Sequence, residues 1–129
     1  MTEAETALAE LSAISSQIEA AVLIDKGGAV TASTLPDERA AGLASSARAL
    51  LEEAEQVREG ELTQLEAATG EGSFFVVRDA DRLIAATAGP EPTAGLVFYD
   101  LRSALRKAAA PKKTKPKPRA KRPKTSGSS

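Results

Sequence analysis

Residues 70–89 read GEGSFFVVRDADRLIAATAG, and this stretch indicates that the fold contains a β-sheet. It contains two short runs rich in apolar, β-branched and aromatic residues, 73–80 and 82–88, separated by a polar turn around Asp81. Such runs, bounded by glycine and polar residues, are typical of β-strands. Because only a tight turn separates them, the stretch predicts an antiparallel hairpin.

A second hairpin is predicted nearer the N-terminus. Residues 20–24, AAVLI, are apolar on both faces, as expected of an inner strand. Residues 25–28, DKGG, supply the glycines that a tight turn needs. Residues 29–34 then alternate as a half-exposed strand, and a fifth strand is predicted over residues 61–69.

Three amphipathic helices are predicted around these strands. Residues 4–18 carry apolar side chains at helical spacing, and residues 94–109 form the last helix. Between them, Pro36 and two acids begin a long helix that runs from residue 37 to about residue 58, before Gly60. The apolar stripe of the first helix is Ala4, Leu8, Leu11, Ile14 and Ile18. The order α-β-β-α-β-β-β-α predicts an α/β sandwich, with a five-stranded antiparallel sheet flanked by helices.

The chain divides at about Pro111 into two parts of opposite charge. Residues 1–110 hold all 18 acidic residues and nine basic ones, a net charge of −9. Residues 111–129 hold eight Lys and Arg, four prolines, no acid and no large apolar residue. We therefore predict one folded domain over 1–110, called the body, and a disordered Lys/Pro-rich basic tail over 111–129, called the tail.

The composition disfavours an enzyme. Histidine and cysteine are absent, which removes the commonest general base near neutral pH, the thiolate nucleophile and the commonest metal ligand. Gly27-Gly28 precedes a strand and lacks the rest of a phosphate-binding loop. Asp79 and Asp81 flank a predicted turn, where aspartate favours local backbone hydrogen bonds. We predict no catalytic residue, no metal site and no cofactor.

The N-terminal sequence favours a cytoplasmic protein. MTEAETALAE is acidic and lacks the charged and apolar leader of a secretory signal. The longest apolar run, residues 20–24, is too short to span a bilayer. We therefore expect a soluble protein inside the cell.

The tail predicts contact with a polyanion. Alternating lysine and proline keep a chain extended and present charge along a line, which suits DNA, RNA or an anionic membrane surface. No aromatic residue interleaves the charges, so stacking on bases is not predicted. The polyanion-binding residues are Lys112, Lys113, Lys115, Lys117, Arg119, Lys121, Arg122 and Lys124. The alternative interpretation is a solubilising extension.

An acidic run around the end of the long helix offers a second anionic surface within the chain itself. It consists of Glu52, Glu53, Glu55, Glu59 and Glu61. The run is interpreted as a solvated helix face. The alternative is a docking surface for a basic partner or for this chain's own tail, and the sequence leaves that choice open.

The body resembles the Roadblock/LC7 family. The resemblance rests on residues 21–30, AVLIDKGGAV, on the alanine- and leucine-rich helix 37–57, on the strand pair 70–89, and on Gly95-Leu96-Val97. It covers roughly residues 5–109. It implies a helix, two strands, a long helix, three strands and a final helix.

The resemblance also implies a non-catalytic protein that forms dimers and regulates or scaffolds a small Ras-like GTPase. Family dimers join their sheets edge to edge with the long helices beside the join, which implies a contact through 61–69 and 37–57 here. Alanines in the helix allow close packing, and pairing removes two exposed sheet edges. The dimer-interface residues predicted in this way are Ala44, Ala47, Leu51, Ala54, Leu62 and Leu65.

The basic tail is no part of the family's pattern, and it leaves two other functions open. One is a nucleic-acid-associated protein whose dimer presents two basic tails. The other is a ligand-sensing domain of the related profilin-like class. The candidate partners are therefore a second copy of the chain, a small Ras-like GTPase, and a nucleic acid or anionic membrane surface.

Overall fold

The helices and strands follow one another in the order that the sequence predicts. The computed structural model describes residues 2–57, 62–68 and 70–109, and within them it contains three helices and five strands. These are α1 Glu3–Ile14, β1 Ile18–Ile24, β2 Val30–Ser33, α2 Asp37–Val57, β3 Gln64–Ala68, β4 Ser73–Asp79, β5 Arg82–Ala88 and α3 Ala94–Ala109. The predicted order is confirmed. Gly60, Glu61, Thr69 and residues 110–129, including the tail, lie outside the described residues.

The strands pair in the order β2-β1-β5-β4-β3, each antiparallel to its neighbour. The two predicted hairpins form, β1 with β2 and β4 with β5. β1 and β5 are distant in sequence and pair from Ile18 opposite Ala88 to Ile24 opposite Leu83. This central pair leaves β2 and β3 at the two edges of the sheet.

Helices cover both faces of the sheet, so the inner strands are buried on both sides. α1 and α3 lie on one face, where Leu11 and Leu101 join a cluster with Leu23 and Phe75. α2 lies on the other face, in a cluster of Val22, Ile24, Ala40, Ala44, Ala47, Leu51, Val76, Leu83 and Ala85. Consecutive strand residues such as Val22 and Leu23 therefore serve different clusters, as strand geometry requires. Each large apolar side chain that is fully buried contributes roughly 1.5–3 kcal/mol.

The first helix is shorter than predicted. Leu11 is buried, but Ile14 is 69% exposed although helical spacing placed it in the core. α1 ends at Ser15, whose backbone is extended, while its N–H still donates to the carbonyl oxygen of Leu11 at 2.9 Å. The prediction was wrong for Ile18, which begins β1 opposite Ala88. Its β-branched side chain packs on the α1/α3 cluster from the sheet rather than from the helix.

The glycine turn between β1 and β2 forms as predicted. The Asp25 carboxylate accepts hydrogen bonds from the backbone N–H groups of Gly27 at 2.9 Å and Ala29 at 3.0 Å. Gly28 has a φ of +92°, which residues with a side chain rarely adopt. The guanidinium of Arg48 from α2 lies against Gly28, where an added Cβ would be 1.7 Å from Nη1. Glycine at this turn thus leaves room for the Arg48 guanidinium.

Candidate functional site: the two flanks of helix α2

The buried row of α2 holds the helix to the sheet of its own chain. Its members are Ala40, Ala44, Ala47 and Leu51, and each is at most 4% exposed. Small side chains at three of these positions allow the helix to lie close to the sheet. Ala44, Ala47 and Leu51, three of the predicted dimer-interface residues, thus contact the sheet cluster. A second copy would meet the neighbours of these residues rather than their side chains.

One side of α2, next to the buried row, carries an apolar stripe. Leu43, Leu50 and Val57 recur every seven residues along it, with Ala54 between the last two. Leu43 and Leu50 are half-buried, and Val57 is 85% exposed. We call this stripe, together with the edge strand β3, the β3 flank. Its apolar side chains are Leu43, Leu50, Ala54, Val57, Leu62 and Leu65.

Strand β3 presents its outer edge to solvent. Among the described residues it pairs with β4 alone, and its residues are exposed and half-buried in alternation. Leu65 lies opposite Val76 and, with Leu62, packs partly against the α2-side cluster. Of the predicted residues, Leu62 and Leu65 therefore lie on the α2 side of the sheet edge, and Ala54 is half-buried near the end of α2.

Sequence reasoning missed three members of that flank. Leu43, Leu50 and Val57 lie in the predicted helix 37–57 but are not among the residues predicted for a dimer contact. Their seven-residue spacing is the signal that could have found them. That spacing separates them from the buried row, which follows steps of four, three and four.

Glu55 connects the end of α2 to the segment before β3 through a side-chain hydrogen bond. Its Oε2 accepts a hydrogen bond from the backbone N–H of Leu62 at 3.0 Å and lies 2.9 Å from Nη1 of Arg78. The two charged side chains are 25% and 19% exposed, respectively. The interpretation of the acidic run as a solvated face was therefore wrong for Glu55, while Glu59 and Glu61 lie outside the described residues.

The opposite flank of α2 faces the edge strand β2 across an open groove of about 810 Å³. One wall consists of Gly28, Ala29 and Val30 from the β1–β2 hairpin. The other wall is α2, whose lining residues are Asp37, Ala40, Ala41, Ala44, Ser45, Arg48, Ala49 and Glu52. We call this cavity the β2 groove. Alanines of α2 line the middle of this groove, and charged residues lie towards its ends.

The described part of the chain shows no arrangement typical of a metal centre. No group of three or more acidic side chains there is placed to hold a metal ion. Asp79 and Asp81 are exposed on either side of the turn at Ala80, which agrees with the turn interpretation. None of the described helices is long and apolar enough to cross a membrane. The predicted polyanion-binding residues of the tail lie outside the described ranges.

Comparison with known proteins identifies the fold. No protein-family model and no curated protein matches the sequence. A Roadblock/LC7 domain from Streptomyces avermitilis matches in structure with a TM-score of 0.70 and 20% identity, covering 79% of this chain and 91% of that chain. The gliding protein MglB from Thermus thermophilus matches with a TM-score of 0.62 and 20% identity, covering 83% of this chain and 86% of that chain.

A further match is a structure of MglB with a tetrameric arrangement. Its TM-score is 0.61 at 21% identity, and the match covers 81% of this chain and 83% of that chain. Likeness at this level of identity establishes architecture rather than activity. The chain therefore has the Roadblock/LC7 fold, as the sequence resemblance predicted.

Proposed function

We propose that the protein is a non-catalytic, dimeric adaptor that regulates or scaffolds a small Ras-like GTPase, and that its basic tail tethers the dimer to a polyanion. The observation that carries the proposal is the fold, which matches a Roadblock/LC7 domain over 79% of the chain and MglB over 83%. The family that the sequence resembles acts on such GTPases by contact. A sequence without histidine or cysteine is suited to that mode of action.

The β3 flank supports the dimer. Among the described residues β3 is a sheet edge that pairs only with β4, and α2 carries an apolar stripe next to its buried row. A two-fold contact uses the same patch on both copies, so one such flank suffices. Pairing would continue the sheet across both copies and remove two exposed edges. An interface of standard size, ~1,600 Å² in total, would hold the pair at micromolar concentration.

The test of the regulatory role is GTP turnover by a small Ras-like GTPase from the same organism. We expect this chain to change that turnover by ~10-fold or more, as contact regulators of GTPases do. We expect it to hydrolyse no GTP alone, because it has no phosphate-binding loop. A chain truncated after Ala110 is the control, and it should keep the effect.

Two outcomes would contradict this assignment. Turnover of GTP by the chain alone, persisting through repeated purification, would show that it is an enzyme. Failure of the chain both to bind the GTPase and to alter its turnover would remove the GTPase as the partner.

The eight cations of the tail favour a second candidate function, a nucleic-acid-associated dimer. We expect the intact chain to retard two unrelated duplexes equally, because the tail has no base-reading side chains. If every cation meets a phosphate, log affinity falls against log salt with a slope of about −7. Two tails per dimer should add avidity. Equal retardation by the intact chain and by the chain truncated after Ala110 would show that the tail is not the tether.

A further inference from the structure

We propose that the tail docks in the β2 groove of its own chain and must leave the groove to bind a polyanion. The proposal rests on the tethering function proposed above and adds a regulation to it. Three observations carry it: the place where the described chain ends, the length of the chain that remains, and the charge along the groove.

The described chain ends beside the hairpin that borders the groove. Leu105 and Ala108, in the last turns of α3, line a cavity of about 300 Å³ together with Asp25 and Thr31 of the β1–β2 hairpin. Val30, the neighbour of Thr31, lines the β2 groove on the other side of the same strand. The tail therefore starts next to the sheet edge around which it must pass to enter the groove.

The remaining chain is long enough to follow the groove. Twenty residues come after Ala109. At ~3 Å per residue in an extended proline-rich chain, they reach ~60 Å. α2 has 21 residues and at 1.5 Å per residue is ~32 Å long. The tail can thus round the β2 edge and still run along the helix.

The charge of this flank complements the charge of the tail. Asp37 and Glu52 line the groove towards its two ends, and Glu38 is the exposed acid beside Asp37. The three acids are exposed. Arg48 is the opposing cation on this flank of the described helix, and its guanidinium lies against the β1–β2 turn. An excess of acid therefore faces a segment with eight cations and no acid.

The shape of the groove also suits this occupant better than the β3 flank does. Ala41 and Ala49 leave a low wall on which proline rings and lysine methylenes can lie while the ammonium groups reach the acids. The apolar stripe of the β3 flank requires apolar partners, and the tail has no large apolar residue. Because the two flanks lie on opposite sides of α2, a dimer formed through one leaves the other open.

Docking within one chain benefits from a high effective concentration. Each exposed ion pair nevertheless contributes little, so the docked state is weak and salt-sensitive. A dense array of phosphates should displace the tail from the groove. Removing the groove acids should therefore strengthen polyanion binding, because the competing site is lost.

Disulfide trapping in the full chain tests the docking, and no native cysteine interferes. Ala120→Cys, between two cations of the tail, is combined with Ser45→Cys in the groove. The matched controls are Ser46→Cys, the next exposed residue of α2, and Ser103→Cys, an exposed residue of the helix that leads into the tail. We expect the Ser45→Cys pair to form an intrachain disulfide about fivefold faster than either control. The difference should vanish at about 0.5 M salt.

Equal rates for the three pairs, a faster Ser103→Cys pair, or a product between two chains would overturn the docking. The second measurement is the duplex DNA affinity of the Asp37→Asn, Glu52→Gln double variant, which is expected to rise about threefold or more as the competing site is weakened. An unchanged affinity would overturn the competition.

The two proposals fail separately. If the wild-type chain binds no DNA but the Ser45→Cys pair still forms fastest, the tethering fails and the docking stands. If DNA is bound and the three rates are equal, the docking fails and the tethering stands.

Discussion

Replacing Ala47 with glutamate is expected to unfold the domain rather than only to separate a dimer. Ala47 is fully buried in the cluster that contains Val22, Val76 and Ala85 of the sheet. A carboxylate has no polar partner among these side chains, and burying an unpaired charge costs roughly 4 kcal/mol or more. The whole stability of a domain is about 5–15 kcal/mol. We expect the helical circular dichroism and the cooperative urea transition to be lost.

Ser46→Glu is the matched control for this variant. Ser46 is the next residue of α2 towards the N-terminus and is exposed, so the same charge is added to the same helix without burial. Its effect on the free energy of unfolding should stay within about 0.5 kcal/mol. If the Ala47→Glu chain unfolded at the same urea concentration as the wild type, the buried row would not face the sheet.

Replacing Leu50 with glutamate is expected to convert the proposed dimer into folded monomers. Leu50 is half-buried in the middle of the seven-residue stripe, between Leu43 and Val57. A carboxylate there meets its own symmetry mate and an apolar surface, so we expect dimerisation to weaken by ~100-fold or more. Light scattering should report 13.4 kDa instead of twice that mass. Circular dichroism should remain that of the wild type.

Val57→Glu provides a second disruption that cannot act by unfolding the core, because Val57 is 85% exposed. Ala41→Glu, an exposed change on the β2 groove side of the same helix, should leave the dimer intact. A wild-type mass of 13.4 kDa at high concentration would show that the chain is a monomer. Dimers that persist in both Leu50→Glu and Val57→Glu would place the interface elsewhere.

Local patterns made the order of helices and strands predictable. The glycines of the β1–β2 turn, the proline before α2 with the acids of its first turn, and the apolar runs of β4 and β5 each specify their structure within about ten residues. The same reasoning failed at Ile14 and Ile18, whose spacing suits one helical stripe. Ile18 belongs to a strand instead because it pairs with Ala88, and this pairing joins residues far apart in the sequence.

The orientation of α2 could not be predicted from its sequence alone. Alanine suits a row buried against a sheet as well as a close contact between helices. Ala44, Ala47 and Ala54 therefore do not indicate which face of the helix meets the sheet. The pairing of β1 with β5 fixes which strands lie under the helix, and it leaves β2 and β3 at the edges. Which side of α2 is buried and which sides stay accessible therefore depends on strand pairing between residues far apart in the sequence. The β2 groove had no sequence signal of its own for the same reason.

α1 and α3 run antiparallel, so the start of α1 lies close to the end of α3. Ala4 and Ala108 line the same cavity, and Glu10 pairs with Lys107 across the two helices. A fluorescent protein fused ahead of Thr2 would therefore stand beside the point where the tail begins and obstruct it by its bulk. The turn at Pro90 and Glu91, exposed beyond the other end of β5, is the better place to insert a reporter.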